Sequence, residues 1–374
     1  MTEFTDTIAG REIVVWPGNA QESPRSIETP LQPSIQPTLS GLIFAYQHDP
    51  LSRFHKLRYA IRQNHAALLR RVDERHGGTA LADISGRTLT QWHTDWQGDG
   101  KVAMAHAFIS QLRTLFGFGF ALLSCGECRR LSATLGEAAM RFPMAPAREV
   151  RLTADQANGV RHWAHAIGWH SIALAQAFQF ELMLRQKDCV GEWVPESEPG
   201  ESIIRWRGQK WLRGMWWREI DENLIFRHVT SKRLKPVAVD LKLSPMVMDE
   251  ITNHIEPGQI HPRDPVICCE ATGMPYSAAE FRRKWRIVAD YARIPKNVRN
   301  MDSRSGAITE SFEAGIPGEA IQKMATHSDI AMTQRYNRGD YQNTAAKVQA
   351  ARTAHRGAET VMDAERGTPP AGVA

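Results

Sequence analysis

Long apolar runs are missing from this chain. Nowhere do hydrophobic residues accumulate toward the ~20 that a membrane-spanning helix needs, and no signal-peptide core stands near the start. Cysteine is scarce, five residues in 374, and the count is odd. That argues against a disulfide-stapled scaffold and leads us to expect reduced thiols, a cytoplasmic protein and no membrane partner. Cys125 and Cys128 form a lone CxxC. Structural zinc wants four ligands and no second pair accompanies it, so the expectation is no metal and no cofactor. Nor is there an internal repeat. Charge of one sign does not dominate either: 46 Lys and Arg against 41 Asp and Glu leave a net +5. Such a balance permits a polyanionic partner without demanding one, so the placement of the cations decides.

What is present is length enough for two or three domains with full cores. Residues 1–39 hold Pro17, Pro24, Pro30, Pro33 and Pro37 among Ser, Thr and Gln, a flexible arm in which only Arg11 to Trp16 reads as a strand. From 40 to 143 the pattern turns helical. Phe54, Leu57, Ile61, Leu68, Leu69 and Val72 recur at three- and four-residue spacing, with Arg58, Arg62 and Arg70 on other faces. Further helices are expected near 88–96, 102–116 and 132–140, separated by glycines that include Gly117 and Gly119. The result is a small bundle whose arginines could lie along phosphates, releasing counterions on binding, or form a solvated face that touches nothing.

A proline-bearing linker, 143–151, leads to Thr153 and Gln156, a capping-box pair that opens a helix. An apolar helix over 171–185 follows and ends at Arg185, with Asp188 just beyond. Residues 223–229 and 236–241 alternate as a hairpin with Lys232 near its turn. Helices are then expected over 244–255 and 278–293. The second turns Phe281, Trp285, Val288, Ala289 and Ala292 inward and leaves Arg282, Arg283, Lys284 and Arg286 exposed. Arg282, Arg283 and Arg286 share a face suited to a DNA groove or strand backbone. Gly315-Ile316-Pro317 with Glu319 starts a helix that runs to about Thr326. His327-Ser328-Asp329 breaks it, and Asp329 caps a second short helix, 330–335, that delivers Tyr336 beside His327. One more helix over 345–352 and a loose tail over 365–374 close the chain. The fold class is mainly α with a small β-sheet (α+β).

Singly, each of these side chains has an ordinary structural use, a helix cap for His327, a packing role for Tyr336, a surface ion pair for Arg304. Their joint spacing is less ordinary. The stretch 301–341 resembles the tyrosine recombinase (phage integrase) family, whose signature is His-x-x-Arg, a Gly-x-Pro helix, Gly-His, then Tyr. Met301-Asp302-Ser303-Arg304 stands where His-x-x-Arg belongs, and Ala325-Thr326-His327 replaces Leu-Gly-His. Arg304 and His327 are 23 positions apart, and His327 and Tyr336 are 9 apart, as in the family. Leu184-Arg185 with Asp188 fits the family's first catalytic arginine and the acid that buttresses it. The Trp-containing segment that usually follows arrives only at 214–221, so either 191–213 is an insertion or Arg207 or Arg213 is that arginine. Thr230-Ser231-Lys232 matches the family's hairpin lysine.

The resemblance implies an arm (1–39), a helical core-binding domain that contacts DNA (40–143), a catalytic domain (147–345) and a C-terminal helix and tail (346–374). In the family, the segment after the tyrosine often packs on a neighbouring protomer, so a homo-oligomer, a tetramer on double-stranded DNA, is implied. The implied activity is site-specific recombination through a covalent 3′-phosphotyrosine. Tyr336 would be the nucleophile, Arg185, Arg304 and His327 would bind the phosphate, and Lys232 would protonate the leaving 5′-oxygen. Guanidiniums suit paired phosphate oxygens, and no metal is called for. Met301 departs from the pattern, since a thioether cannot donate a hydrogen bond. Three other readings stay open: a catalytically impaired DNA-binding relative, a type IB topoisomerase-like nicking and closing enzyme, and a helical protein-interaction scaffold.

Overall fold

The computed structural model describes residues 7–8, 11–12, 37–98, 100–255, 258, 260–337, 345–346 and 348–356. Of the expected arm, a short antiparallel pair is described, β1 (Thr7–Ile8) with β2 (Arg11–Glu12). The chain divides between Ala145 and Pro146 into two compact units, each with its own hydrophobic core.

The first unit is helical: α1 (Leu39–His48), α2 (Tyr59–His76), α3 (Gly86–Gln97), α4 (Val102–Leu123) and α5 (Gly126–Gly136). Side-chain caps set the starts of α1 and α3. Thr38 accepts from the Gly41 amide, and Ser85 and Thr88 form a reciprocal capping box. Leu69 and Val72 of α2 enter the core, but Ile61, expected inward, is 45 % exposed. Gly117 and Gly119 do not interrupt α4, which runs through both. At Gly119 the reason is packing: a Cβ there would lie 2.4 Å from Cys128 Sγ and 2.9 Å from Leu42 Cδ1. The CxxC thus supplies a core residue, and burial pushes the Cys128 thiol up to about 12.

The second unit starts with α6 (Ala154–Ala166), opened by the Thr153–Gln156 capping box, and α7 (His170–Glu181). The helix expected to reach Arg185 stops at Glu181, because Met183 turns into the left-handed region at φ 51°. Arg185 therefore precedes a separate short helix, α8 (Gln186–Val190). The stretch 191–213 is no irregular loop: β3 (Glu192–Pro195), β4 (Arg205–Trp206) and β5 (Gln209–Leu212) form an antiparallel sheet in the order β3-β5-β4. The expected hairpin follows as β6 (Ile225–Val229) and β7 (Pro236–Asp240), with Ile225 opposite Asp240 and Val229 opposite Pro236. Then come α9 (Pro245–His254), α10 (Ala278–Tyr291), α11 (Asp302–Glu313), α12 (Gly318–Met324) and α13 (Ile330–Gln334). Residues 345–346 and 348–356 are helical, while the expected tail at 365–374 lies outside the described residues. Among the described residues no helix is long and apolar enough to cross a membrane.

Everything in this unit is arranged on α7, which is buried at every position from Ser171 to Phe180. A helix apolar all round is a central one. Its two glutamines fix its neighbours. Gln176 accepts from Trp285 Nε1 of α10 (2.9 Å) and donates to Ser303 Oγ of α11 (2.8 Å). Gln179 accepts from Asn300 Nδ2 at 2.8 Å. Unpaired, these buried amides would each cost about 1–3 kcal/mol, so the pairing dictates where α10 and α11 sit. Close approach does the rest at Gly306, where a Cβ would come within 1.8 Å of the Leu152 carbonyl oxygen. Gly306→Ala gains about 1 kcal/mol of helix propensity, but the backbone it strikes cannot yield as a side chain would. A net loss of at least about 1 kcal/mol is expected from overpacking, read as a lower urea midpoint. An unchanged or higher midpoint contradicts this account of the α11 packing.

Candidate active site

Five sequence-predicted residues gather at the end of α7. Arg185 follows the left-handed turn at Met183 and meets a fully buried acid. Its backbone amide donates to Asp188 Oδ2 (3.2 Å), and its guanidinium lies 3.7 Å from the same oxygen. The other oxygen, Asp188 Oδ1, accepts the Ser231 amide at 2.7 Å. One carboxylate thus joins the loop of Arg185 to the hairpin turn that carries Lys232. Lys232 itself is exposed.

Arg304 stands in the first turn of α11. Its NH1 donates to the Met183 carbonyl and its NH2 to the Ala325 carbonyl. Of the five N–H donors of a guanidinium, the rest remain for the site. Burial first, and the Arg185 charge second, bring Arg304 down to about 10. The Tyr336 phenol is close enough to act on the same guanidinium.

His327 is buried between these groups. Its Nδ1 is 2.9 Å from Thr333 Oγ1, and its ring stacks on that of Tyr336 with centroids 5.9 Å apart and planes 17° apart. Burial, then the charges of Arg304, Arg185, Lys232 and Lys235, hold the imidazole down at about 4. It is therefore neutral at physiological pH and acts as a hydrogen-bonding group, not a fixed charge. Tyr336, half-buried, follows α13, whose N-cap is Asp329, accepting from the Ala331 amide at 2.9 Å.

The two rivals of Arg185 lie elsewhere. Arg213 pairs with Glu192, and the exposed Arg207 stacks over the Trp206 ring at 4.4 Å, both with the three-stranded sheet. Met301 is 60 % exposed at the residue preceding α11. Lys296, five positions before Met301, bonds Asp290 at 2.6 Å.

Two contributors were missed by sequence reasoning. Lys235 donates to the His327 carbonyl at 3.1 Å, bringing a second hairpin cation to the site. Thr326 adopts φ 53° where the family pattern has glycine, and its hydroxyl accepts from Arg185 NH1 at 3.4 Å. A β-branched residue in that region is strained, so the Thr in place of Gly was the available signal.

Of the arginines expected to meet DNA, Arg282 and Arg283 are exposed on α10. Arg286, expected exposed, is half-buried. Its guanidinium donates to the carbonyls of Ile294 (2.9 Å), Pro295 (3.3 Å) and Val298 (2.9 Å), closing the loop after α10. Lys284, expected exposed, is buried: its Nζ donates to Cys269 Sγ (3.2 Å) and lies 4.9 Å from the Trp169 ring centre. In the first unit Arg58 immediately precedes α2, Arg62 donates to the Leu57 carbonyl at 2.5 Å, and Arg70 makes an exposed i,i+4 contact with Glu74.

The phage integrase family profile matches residues 211–343, a segment that includes Lys232, Arg304, His327 and Tyr336. Among solved structures, a lambda integrase dimer bound to a COC′ core site is similar at a TM-score of 0.60 and 17 % identity, over 81 % of this chain and 97 % of that one. The Tn1549 transposon integrase in complex with transposon right end DNA is similar at 0.56 and 13 %, over 84 % of this chain and 99 % of that one. No curated protein matches the sequence. At these identities the structural likeness speaks to the fold, and the profile match speaks to the lineage. The segment 211–343 is thus similar to the phage integrase family.

Proposed function

We propose that this protein is a site-specific DNA recombinase that cuts and rejoins duplex DNA through a 3′-phosphotyrosine at Tyr336. The observation that carries the reading is the gathering of Arg185, Arg304, His327 and Lys232 around Tyr336, an excess of cations in a part-buried space. A phosphodiester supplies the missing negative charge. The phenol oxygen of Tyr336 attacks phosphorus and the bond to the 5′-oxygen breaks. Arg185 and Arg304 bind non-bridging oxygens, whose charge grows in the transition state. His327, whose Nδ1 lies 2.9 Å from Thr333 Oγ1, would offer an Nε2 hydrogen to the same phosphate. Lys232 delivers a proton to the leaving 5′-oxygen. Attack of a 5′-hydroxyl on the phosphotyrosine reverses the steps, so the stored bond reseals DNA without a nucleotide cofactor.

The lambda integrase structures include a dimer on a core site and a tetramer bound to a Holliday junction. By analogy we propose that several copies of this chain assemble on DNA, with the helical residues 345–346 and 348–356 reaching a neighbour. The core-binding role of the first unit, with Arg58, Arg62 and Arg70, and the DNA contact of Arg282 and Arg283 belong to the same proposal. Met301 favours a second reading, a relative that binds duplex DNA without cutting it.

Selection of bound duplexes followed by a nicked suicide substrate separates the two. The full chain is expected to trap a covalent adduct that Tyr336→Phe abolishes; salt-sensitive binding without adduct favours the second reading. Lys232 has its own test. Lys232→Ala is expected to slow single-turnover cleavage by at least about 100-fold. A sulfur in place of the leaving 5′-oxygen, needing no proton to depart, should restore the rate. A defect that persists on the sulfur substrate removes Lys232 as the acid and leaves Lys235 as the candidate.

A further inference from the structure

At the opposite end of α7 three histidines converge that take no part in the proposed reaction. His165 lies in the last turn of α6, His170 begins α7 and His254 ends α9. One ring nitrogen of each lies within 4.8 Å of the other two. His165 Nδ1 and His170 Nδ1 are 2.8 Å apart, and the rings of His165 and His254 stack with centroids 3.7 Å apart.

Behind them stands Glu250, buried in α9. Its Oε2 is 2.9 Å from His165 Nε2, and its Oε1 accepts Arg161 Nε at 2.6 Å. Because a carboxylate accepts only, the His165 hydrogen resides on Nε2 and the Nδ1 lone pair faces the other two imidazoles. A carboxylate fixing the far nitrogen is the arrangement that orients metal-bound histidines. Metal–nitrogen distances of about 2.0–2.1 Å place tetrahedral ligand nitrogens roughly 3.3 Å apart. The three ring nitrogens, now within 4.8 Å of one another, would have to come to that spacing on binding. His170 and His254 border an open groove of about 500 Å³, which leaves a fourth position to water.

We infer that His165, His170 and His254 form a binding site for a divalent transition cation of the zinc class, with Glu250 positioning His165. Three imidazoles suit such an ion better than magnesium or calcium, which prefer oxygen. The site would staple the ends of α6, α7 and α9, the helix pair and partner that bear the central core. A cation bound to the folded state alone raises its stability by mass action.

The test uses the untagged full chain, stripped with a chelator and titrated with Zn²⁺ against a chromophoric competitor, with Co²⁺ as a spectroscopic probe. One equivalent is expected to bind and to raise Tm by on the order of 5 °C at saturation. His170→Ala and His254→Ala, both at exposed positions, should each weaken binding at least about ten-fold, and Glu250→Gln by about 10- to 100-fold. Should Glu250→Gln fail to fold, the two exposed variants still decide. The inference is overturned by the absence of one-equivalent binding, by binding that survives the His170→Ala/His254→Ala double variant, or by a sulfur-to-cobalt charge-transfer band that assigns the ion to cysteines.

Discussion

Crowded positive charge is the constraint on which the proposed site depends. Arg185, Arg304, Lys232 and Lys235 all act on one imidazole, and the acid that meets Arg185 there is Asp188. Like charges at 4 Å repel by about 4 kcal/mol at the effective dielectric of a protein surface, and burial raises the cost. Chains tolerate such crowding when a ligand relieves it. Burial first, and this repulsion second, depress both Arg304 and His327.

Holding the cations together takes both packing and strain. α7 is pinned through Gln176 to Ser303, the residue before Arg304, so the central core and the site share one anchor. Around the site, Met183, Leu234 and Thr326 all carry positive φ without being glycine. Such conformations cost about 1–3 kcal/mol each and persist only where surrounding structure enforces them. Two of the three serve a contact here. Met183 offers its carbonyl to Arg304, Thr326 its hydroxyl to Arg185, and Leu234 lies in the turn between the two hairpin lysines.

Much of this was legible in the sequence because it is local. The capping box at Thr153, the N-cap at Asp329 and the hairpin around Lys232 follow from short-range rules, and the spacing of Arg304, His327 and Tyr336 needed only counting. What was not legible is long-range. The end of α7 four residues before Arg185 is imposed by a turn at Met183 that apolar periodicity does not foretell. Gly119 looked like punctuation and proved to be a packing contact with Cys128, and Lys284 looked like a surface cation until Cys269 and Trp169 closed over it. The trihistidine cluster joins positions 165, 170 and 254, which no local pattern brings together.

The most direct measurement is the titration of the His327 imidazole by NMR in the Tyr336→Phe protein, free and bound to a selected duplex. A base whose charged form is disfavoured has a lowered pKa, so the free protein should show His327 titrating near 4, well below the ordinary ~6.5. A phosphodiester seated among the cations favours the charged form, so the duplex should move the titration upward. An ordinary value in the free protein, or no movement when DNA binds, would contradict the claim that these cations are gathered for a phosphate.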